Sequence, residues 1–172
     1  IIANHTQADG IWVGYREQKG TGTWEYNILG GPPGVVDLTW PRIMTSGVNR
    51  EIVHCLSCTW PDSGPYMGQS PALLYSRSID GGQSWNIENH FFEELGPNYY
   101  TAMSGDTYEF AESKDGILAF LIGDSWMDLA LMKSTDDGDT WTKTVIWECP
   151  YPLYVSGVTD TFYCADGSHH LA

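Results

Sequence analysis

Short apolar runs alternate with turn-forming residues along most of this chain. Gly10–Tyr15, residues 72–75 and Ile117–Ile122 are examples, and Gly, Asn, Asp, Pro or Ser stand close to each. Runs rich in aromatic and branched residues and bounded by turn residues predict short β-strands. The apolar positions show no sustained helical periodicity. The pattern therefore predicts an all-β fold.

One eight-residue motif, S-x-D-x-G-x-[ST]-W, occurs twice, at 78–85 and 134–141. Its Ser and Asp side chains can accept hydrogen bonds from nearby backbone amides, and its glycine supplies a positive φ. We expect the tryptophan to start the next strand and bury its ring, with a hydrogen-bond partner for its indole N–H. The motif predicts a structural turn. Its defining positions are Ser78, Asp80, Gly82 and Trp85 in the first copy, and Ser134, Asp136, Gly138 and Trp141 in the second.

These residues resemble the Asp box of the sialidase-like, or BNR-repeat, β-propellers. A motif repeated at a period near 50 residues is typical of stacked or radial repeats. The resemblance implies blades of four antiparallel strands, with the boxes on the outer rim away from the substrate face. It does not imply one activity, since the box occurs in sialidases, other glycoside hydrolases, sorting receptors and propellers without known catalysis.

Aligning the chain on the boxes gives blades at about 1–30 (incomplete), 36–95, 101–149 and 155–172 (incomplete). In this alignment Trp24 takes the place of a box tryptophan. A propeller ring closes with about four to eight blades. We therefore predict an incomplete portion of a larger propeller, whose partners are the remaining blades of a longer chain. Assembly of several copies is the alternative.

The net charge of −14 and the pI near 4.4 make nucleic acid and anionic membranes unfavourable partners. No apolar run is long enough to insert into a membrane. The N-terminal residues contain no signal sequence. The resemblance nevertheless implies a secreted or cell-surface protein.

Four cysteines leave several interpretations open. Cys55 and Cys58 form a C-x-x-C in a strand-like run, where residues three apart point to opposite faces. Buried thiols are favoured over a disulfide, and a metal or redox site is the third alternative. Cys149 and Cys164 flank a loop and are better disulfide candidates. We predict no metal and no cofactor: calcium is held by some propellers of this family, but no dedicated loop for it is present.

The resemblance also identifies the residues that an enzyme would need. Sialidases carry an Arg-Ile-Pro signature, an Asp in the following loop, two further arginines and a Tyr–Glu pair. Here Arg42 and Ile43 match, Met44 replaces the proline, and Asp62 lies in the following loop. No arginine repeats at the equivalent of position 42. Arg42 is therefore either a structural or surface residue, or a group that binds a carboxylate.

Carboxylates that match a glycosidase pair by residue type alone are Glu93, Glu94, Asp106, Glu109, Glu112, Asp124 and Asp128. Their spacing predicts no convergence, so solvated or turn-capping roles are favoured.

Three aromatic residues, Trp60, Tyr66 and Trp126, lie in loops that would gather at one end of the blades. They either form a platform for a ligand or fill space between blades. The sequence favours a non-catalytic binding or scaffold module with a carbohydrate or protein ligand. The alternative is part of a sialidase or a related exo-acting glycoside hydrolase, in which Arg42 and Asp62 are the catalytic candidates.

Overall fold

The computed structural model describes residues 2–6, 10–16, 18, 20–35, 37–100, 102–114, 117–123 and 127–149. Apart from two short 3-10 helices, Pro61–Ser63 and Glu93–Leu95, its regular structure is strand. No helix among these residues is long and apolar enough to cross a membrane. The strands are β1 (Ile2–Thr6), β2 (Gly10–Tyr15), β3 (Glu25–Leu29), β4 (Leu38–Ser46), β5 (Ile52–Thr59), β6 (Leu73–Ser78), β7 (Ile87–Phe91), β8 (Tyr108–Lys114), β9 (Ile117–Ile122), β10 (Leu129–Ser134) and β11 (Thr142–Trp147).

The strands form three antiparallel sheets in which chain neighbours are also spatial neighbours. The first sheet is β1-β2-β3, the second is β4-β5-β6-β7, and the third is β8-β9-β10-β11. Four-stranded antiparallel meanders of this kind are the blades of a propeller. The sheets do not close a ring within the described residues. The predicted fold class, an all-β portion of a propeller, is confirmed.

The second sheet is buried on both faces because it stands between the other two. On one face Cys55 packs in a cluster with Ile11 of the first sheet. On the other face Leu56 packs in a cluster with Phe120 of the third sheet. This alternation along β5 follows from the two-residue period of a strand. The leading strands β1 and β4, and then β4 and β8, also contact one another, so the sheets stack face to face.

The meander places successive connections at opposite ends of the sheets. The connections after β5, β7 and β9 leave one end, which we name the cleft end. The connections after β4, β6 and β10 leave the other, the box end. At the cleft end the loops contact one another directly. The Gln69 side-chain amide donates to the carbonyls of Leu95 at 2.9 Å and Tyr100 at 2.7 Å, and the Tyr100 hydroxyl donates to the Asp128 carbonyl at 3.1 Å.

One expectation about the tryptophans, a hydrogen-bond partner for the indole N–H, is wrong. Trp85 and Trp141 each pack against a buried cluster between their own sheet and the preceding one, but their indole N–H groups have no hydrogen-bond partner among the described residues. The rings lie among apolar and aromatic side chains, which offer no strong acceptor. Trp24 is not packed like them. It is 41% exposed, and the Arg16 guanidinium lies 4.6 Å from its ring centroid.

Candidate functional site

The first box loop, residues 78–85, is held by two side chains that act as acceptors. Ser78 Oγ accepts a hydrogen bond from the Gly82 amide at 2.8 Å and donates to Asp80 Oδ1 at 2.7 Å. Asp80 Oδ1 accepts from the Ser84 amide at 2.9 Å, and Oδ2 accepts from the Ser84 hydroxyl at 2.6 Å. The carboxylate is therefore satisfied inside its own turn.

The second box loop, residues 134–141, repeats this geometry. The Gly138 amide donates to Ser134 Oγ at 2.8 Å, and Asp136 accepts from the Thr140 amide and hydroxyl at 2.9 Å and 2.6 Å. These hydrogen bonds from Thr140, with that from Ser134, lower the pKa of Asp136 to about 2. Both loops thus keep an ionised carboxylate for turn closure rather than for proton transfer.

A buried chain of hydrogen bonds joins the second box loop to the second sheet. The Tyr75 hydroxyl lies 2.8 Å from His54 Nδ1, Ser46 Oγ lies 2.8 Å from His54 Nε2, and Ser46 Oγ donates to Asp137 Oδ1 at 3.0 Å. One direction of donation satisfies every group: Tyr75 O–H to Nδ1, Nε2–H to Ser46, and Ser46 O–H to the carboxylate. This direction requires a neutral imidazole. Burial, with the nearby Arg77 charge, lowers the pKa of His54 to about 4.

Arg77 supplies a second link to the same box loop. Its guanidinium donates to the Asp137 carbonyl at 2.9 Å and forms a 2.7 Å ion pair with Asp139. The Trp141 ring packs edge-on against Tyr75, with centroids 5.1 Å apart. Polar and aromatic contacts together make this loop a fastener between the second and third sheets.

At the cleft end, a cleft of about 380 Å³ lies between β4 and the third sheet. We name it the Arg42 cleft. Leu121 and Leu129, both partly exposed, form its apolar wall. The rest of the lining is polar or backbone: Arg42, Gly105, Asp106, Thr107, Tyr108, Glu109 and Gly123.

The Arg42 side chain is 30% exposed, and its guanidinium contacts several groups of its own protein. Its Nε donates to Glu109 Oε2 at 2.8 Å in an ion pair, and its Nη2 donates to the Gly105 carbonyl. Its carbon lies 5.8 Å from the centroid of the Tyr108 ring, and the Tyr108 hydroxyl donates to the Trp40 carbonyl at 2.6 Å. These contacts fix the arginine between the second and third sheets.

The charge of the cleft is unfavourable for an anion. Glu109 neutralises Arg42, and Asp106 adds a further negative charge, so the three ionised groups together carry −1. A carboxylate ligand would compete with Glu109 for the guanidinium. The contacts observed for Arg42 are those of a structural link between two sheets. Its second predicted role, binding of a carboxylate, remains a prediction.

Three of the remaining predicted site residues, Trp60, Asp62 and Tyr66, lie at or near the same end. Asp62 is exposed, in the 3-10 helix that follows half-buried Trp60. The Trp60 amide donates to the Asp37 carbonyl at 2.9 Å. Tyr66 is half-buried, and its ring packs edge-on against Phe91 at 6.2 Å. Trp126 lies outside the described residues, so the proposed aromatic platform remains a prediction.

The cysteines separate as the strand period predicts. Cys55 and Cys58 lie in clusters on opposite faces of the second sheet, and burial raises the pKa of each thiol to about 12. Cys149 is half-buried and free, and its predicted partner Cys164 lies outside the described residues. Within the described part of the chain, no group of three or more His, Cys, Asp or Glu side chains is placed to hold a metal ion.

The candidate acids that the structure describes do not share one site. Asp106 and Glu109 line the Arg42 cleft, whereas Glu93 and Glu94 are exposed in the second 3-10 helix. Asp128 accepts a hydrogen bond from the Cys149 amide at 2.8 Å. Asp124 and the side chain of Glu112 lie outside the part of the chain that the structure describes.

The sequence analysis did not predict the partner of Arg42. It also did not predict the residues of the second sheet, Ser46, His54 and Tyr75, whose hydrogen-bond chain binds the second box loop. A signal for the first was present: the repeat alignment places Glu109 at or next to the equivalent of Arg42 in the next blade. Equivalent positions on adjacent inner strands meet, and here they carry opposite charges. No comparable signal existed for Ser46, His54 and Tyr75, because their partner comes from a neighbouring sheet.

Comparisons with known proteins support the architecture. The fold is similar to that of the Hadza microbial sialidase Hz136, with a TM-score of 0.51 and 20% sequence identity over 78% of this chain. The chain spans 30% of that protein's length. No protein-family model matches the chain, and no curated protein is similar to it in sequence. At this identity the likeness shows a sialidase-like β-propeller fold.

Proposed function

We propose that this chain is a non-catalytic binding module of a secreted or cell-surface propeller, in which the Arg42 cleft binds an uncharged carbohydrate. The observation that carries the proposal is the engagement of Arg42 by Glu109 and Gly105. A guanidinium paired with a carboxylate of its own protein gives little net attraction to a second carboxylate. The cleft therefore suits a ligand without negative charge.

The positions of the other arginines support this proposal. The chain has four arginines. Arg16 and Arg50 line a groove at the box end, and Arg77 contacts the second box loop there. Within this chain Arg42 stands alone at the cleft end. The paired guanidinium grip that a sialidase uses on its substrate carboxylate is thus not assembled from these residues.

The size and walls of the cleft favour a sugar. Its volume of about 380 Å³ is within the range of small-molecule sites. The partly exposed side chains of Leu121 and Leu129 offer an apolar surface to the C–H face of a sugar ring. Backbone and carboxylate acceptors around Gly105 and Asp106 suit its hydroxyl groups. A protein ligand at the same cleft is the alternative that the test below separates.

Two assays test the proposal. On a fluorogenic sialoside the chain is expected to release no more fluorophore than its Arg42→Ala variant. Turnover that is present in the chain and lost in that variant would show the enzyme alternative to be correct.

Binding is tested on an array of neutral and acidic glycans. Leu121→Arg, which fills the cleft, is expected to abolish the neutral-glycan signal. Ile117→Arg is the matched control, because both residues lie on β9 with similar exposure, 43% and 40%, and Ile117 does not line the cleft. No neutral glycan bound, or equal loss in both variants, contradicts a carbohydrate site in the cleft. Capture of a polypeptide that Leu121→Arg alone prevents would indicate a protein ligand.

A further inference from the structure

A larger groove, of about 790 Å³, lies at the box end between the first and second sheets. We name it the rim groove. It is separate from the Arg42 cleft and has no part in the function proposed above. Two of the four arginines, Arg16 and Arg50, line it together with Trp24. Asn49, Glu51 and Gln83 are among its polar lining residues.

Neither arginine of the rim groove forms an ion pair with a carboxylate of the described residues. The ion pairs of the described residues join Arg42 to Glu109 and Arg77 to Asp139. Arg50 donates one hydrogen bond, from Nη1 to the Thr45 carbonyl at 3.1 Å. In a chain with 22 acidic and eight basic residues, two such arginines in one groove are unexpected. Most of their N–H donors are available to a ligand.

The Trp24 ring orients the Arg16 guanidinium. The guanidinium carbon lies 4.6 Å from the ring centroid, which is the arrangement of a cation–π contact. A stacked guanidinium keeps its N–H groups in the plane of the fork, directed away from the ring. Trp24 itself is 41% exposed, so part of its apolar surface remains open beside the arginine.

The carboxylates of the groove are committed to turns. Asp80 accepts hydrogen bonds from Ser78, from the Ser84 hydroxyl and from two amides of the first box loop. Glu51 Oε2 accepts from the Asn49 amide at 2.8 Å and folds back on its own turn. Neither carboxylate lies within ion-pair distance of Arg16 or Arg50. Both carboxylates therefore accept hydrogen bonds from their own turns, whereas neither forms an ion pair with the two arginines.

We propose that the rim groove binds an acidic oligosaccharide, whose carboxylate groups are held by Arg16 and Arg50. Arginine forks match the geometry of a carboxylate. The open edge of Trp24 provides an apolar surface for a sugar ring, and the side chain of Asn49 provides an amide group for its hydroxyls. An acidic peptide shares the charge but has no ring to use this surface.

Isothermal titration calorimetry with tetragalacturonate as the probe tests the proposal. Its fully methyl-esterified form is the neutral control of the same shape. The acid is expected to bind at least about tenfold more tightly than the ester, because the ester cannot form charged hydrogen bonds. Arg16→Gln and Arg50→Gln are each expected to weaken binding of the acid about tenfold.

Matched variants separate the groove from net charge and from folding. Lys133→Gln removes one positive charge from an exposed site on the third sheet and is expected to leave the affinity unchanged. Arg16→Lys keeps the charge without the fork and is expected to bind more weakly than the unmodified chain. Equal affinity for acid and ester, equal loss in Lys133→Gln, or no binding of the acid overturns the proposal. Tighter binding of hexaglutamate than of tetragalacturonate also overturns it, in favour of a peptide site.

Discussion

Replacing Gly138 with alanine tests whether the second box loop fastens the third sheet to the second. Gly138 has a φ of 87°, and a Cβ built on it would lie 2.8 Å from Tyr75 Cζ and closer still to the hydroxyl oxygen. The phenol cannot withdraw without losing its hydrogen bond to His54. The substitution therefore disturbs a contact between two sheets as well as a turn.

The expected cost is the sum of three terms. Alanine at a positive φ costs roughly 1–2 kcal/mol. Overpacking against the Tyr75 ring adds about 1–3 kcal/mol. Loss of a buried hydrogen bond in the Tyr75–His54 pair adds about 1–3 kcal/mol. We expect Gly138→Ala to lower the free energy of unfolding by about 3–8 kcal/mol, measured by urea titration with tryptophan fluorescence.

Gly81→Ala in the first box loop is the matched control. Gly81 has a φ of 78°, but a Cβ there would meet no atom within 4 Å. It should lose only the backbone term, roughly 1–2 kcal/mol. Tyr75→Phe supplies a second check, since removal of the hydroxyl relieves part of the clash. Equal losses for the two alanine variants, or strictly additive effects of Gly138→Ala and Tyr75→Phe, would refute the proposed contact.

Two further predictions follow from the buried groups of the second sheet. The pKa of His54 is about 4 in the folded chain, whereas its ordinary value is 6.5. As the pH falls, the unfolded chain therefore binds the proton first, and the free energy of unfolding should fall by about 3 kcal/mol between pH 6.5 and pH 4. His54→Gln should remove this part of the pH dependence in urea titrations, and an unchanged profile would contradict it. Alkylation at pH 8 followed by peptide mapping should label Cys149 but spare Cys55 and Cys58, whose pKa values near 12 keep them protonated. Rapid labelling of either buried cysteine in the folded chain would show that its burial is wrong.

Local sequence signals predicted the strands well. The apolar runs before the first motif became β5 and β6, and those before the second became β9 and β10, because a short run between turn residues has few alternatives to a strand. The side-chain acceptors at positions 78, 80, 134 and 136 lie within a few residues of their donors. Their hydrogen bonds are therefore a local property that the sequence contains.

Contacts between sheets were not predictable in the same way. The pairing of Arg42 with Glu109, and of Ser46 with Asp137, joins residues 67 and 91 positions apart. Each pairing depends on how far one blade is rotated and shifted against the next. The repeat alignment pointed to the first pairing, but no local pattern specifies the second. Trp24 shows the same limit: its sequence position matches the other two tryptophans, but without the Ser and Asp acceptors its loop does not turn the ring into the core.

The engagement of Arg42 is the claim on which the proposed function depends, and NMR of the arginine side chains tests it directly. With four arginines the Nε–Hε spectrum is simple, and the Arg42 signal is the one lost in Arg42→Lys. We predict that this signal moves in Glu109→Gln and stays in place when N-acetylneuraminate is added at millimolar concentration. A saturable shift with N-acetylneuraminate, and no response to Glu109→Gln, would show that the guanidinium is free to bind a carboxylate and would contradict the account.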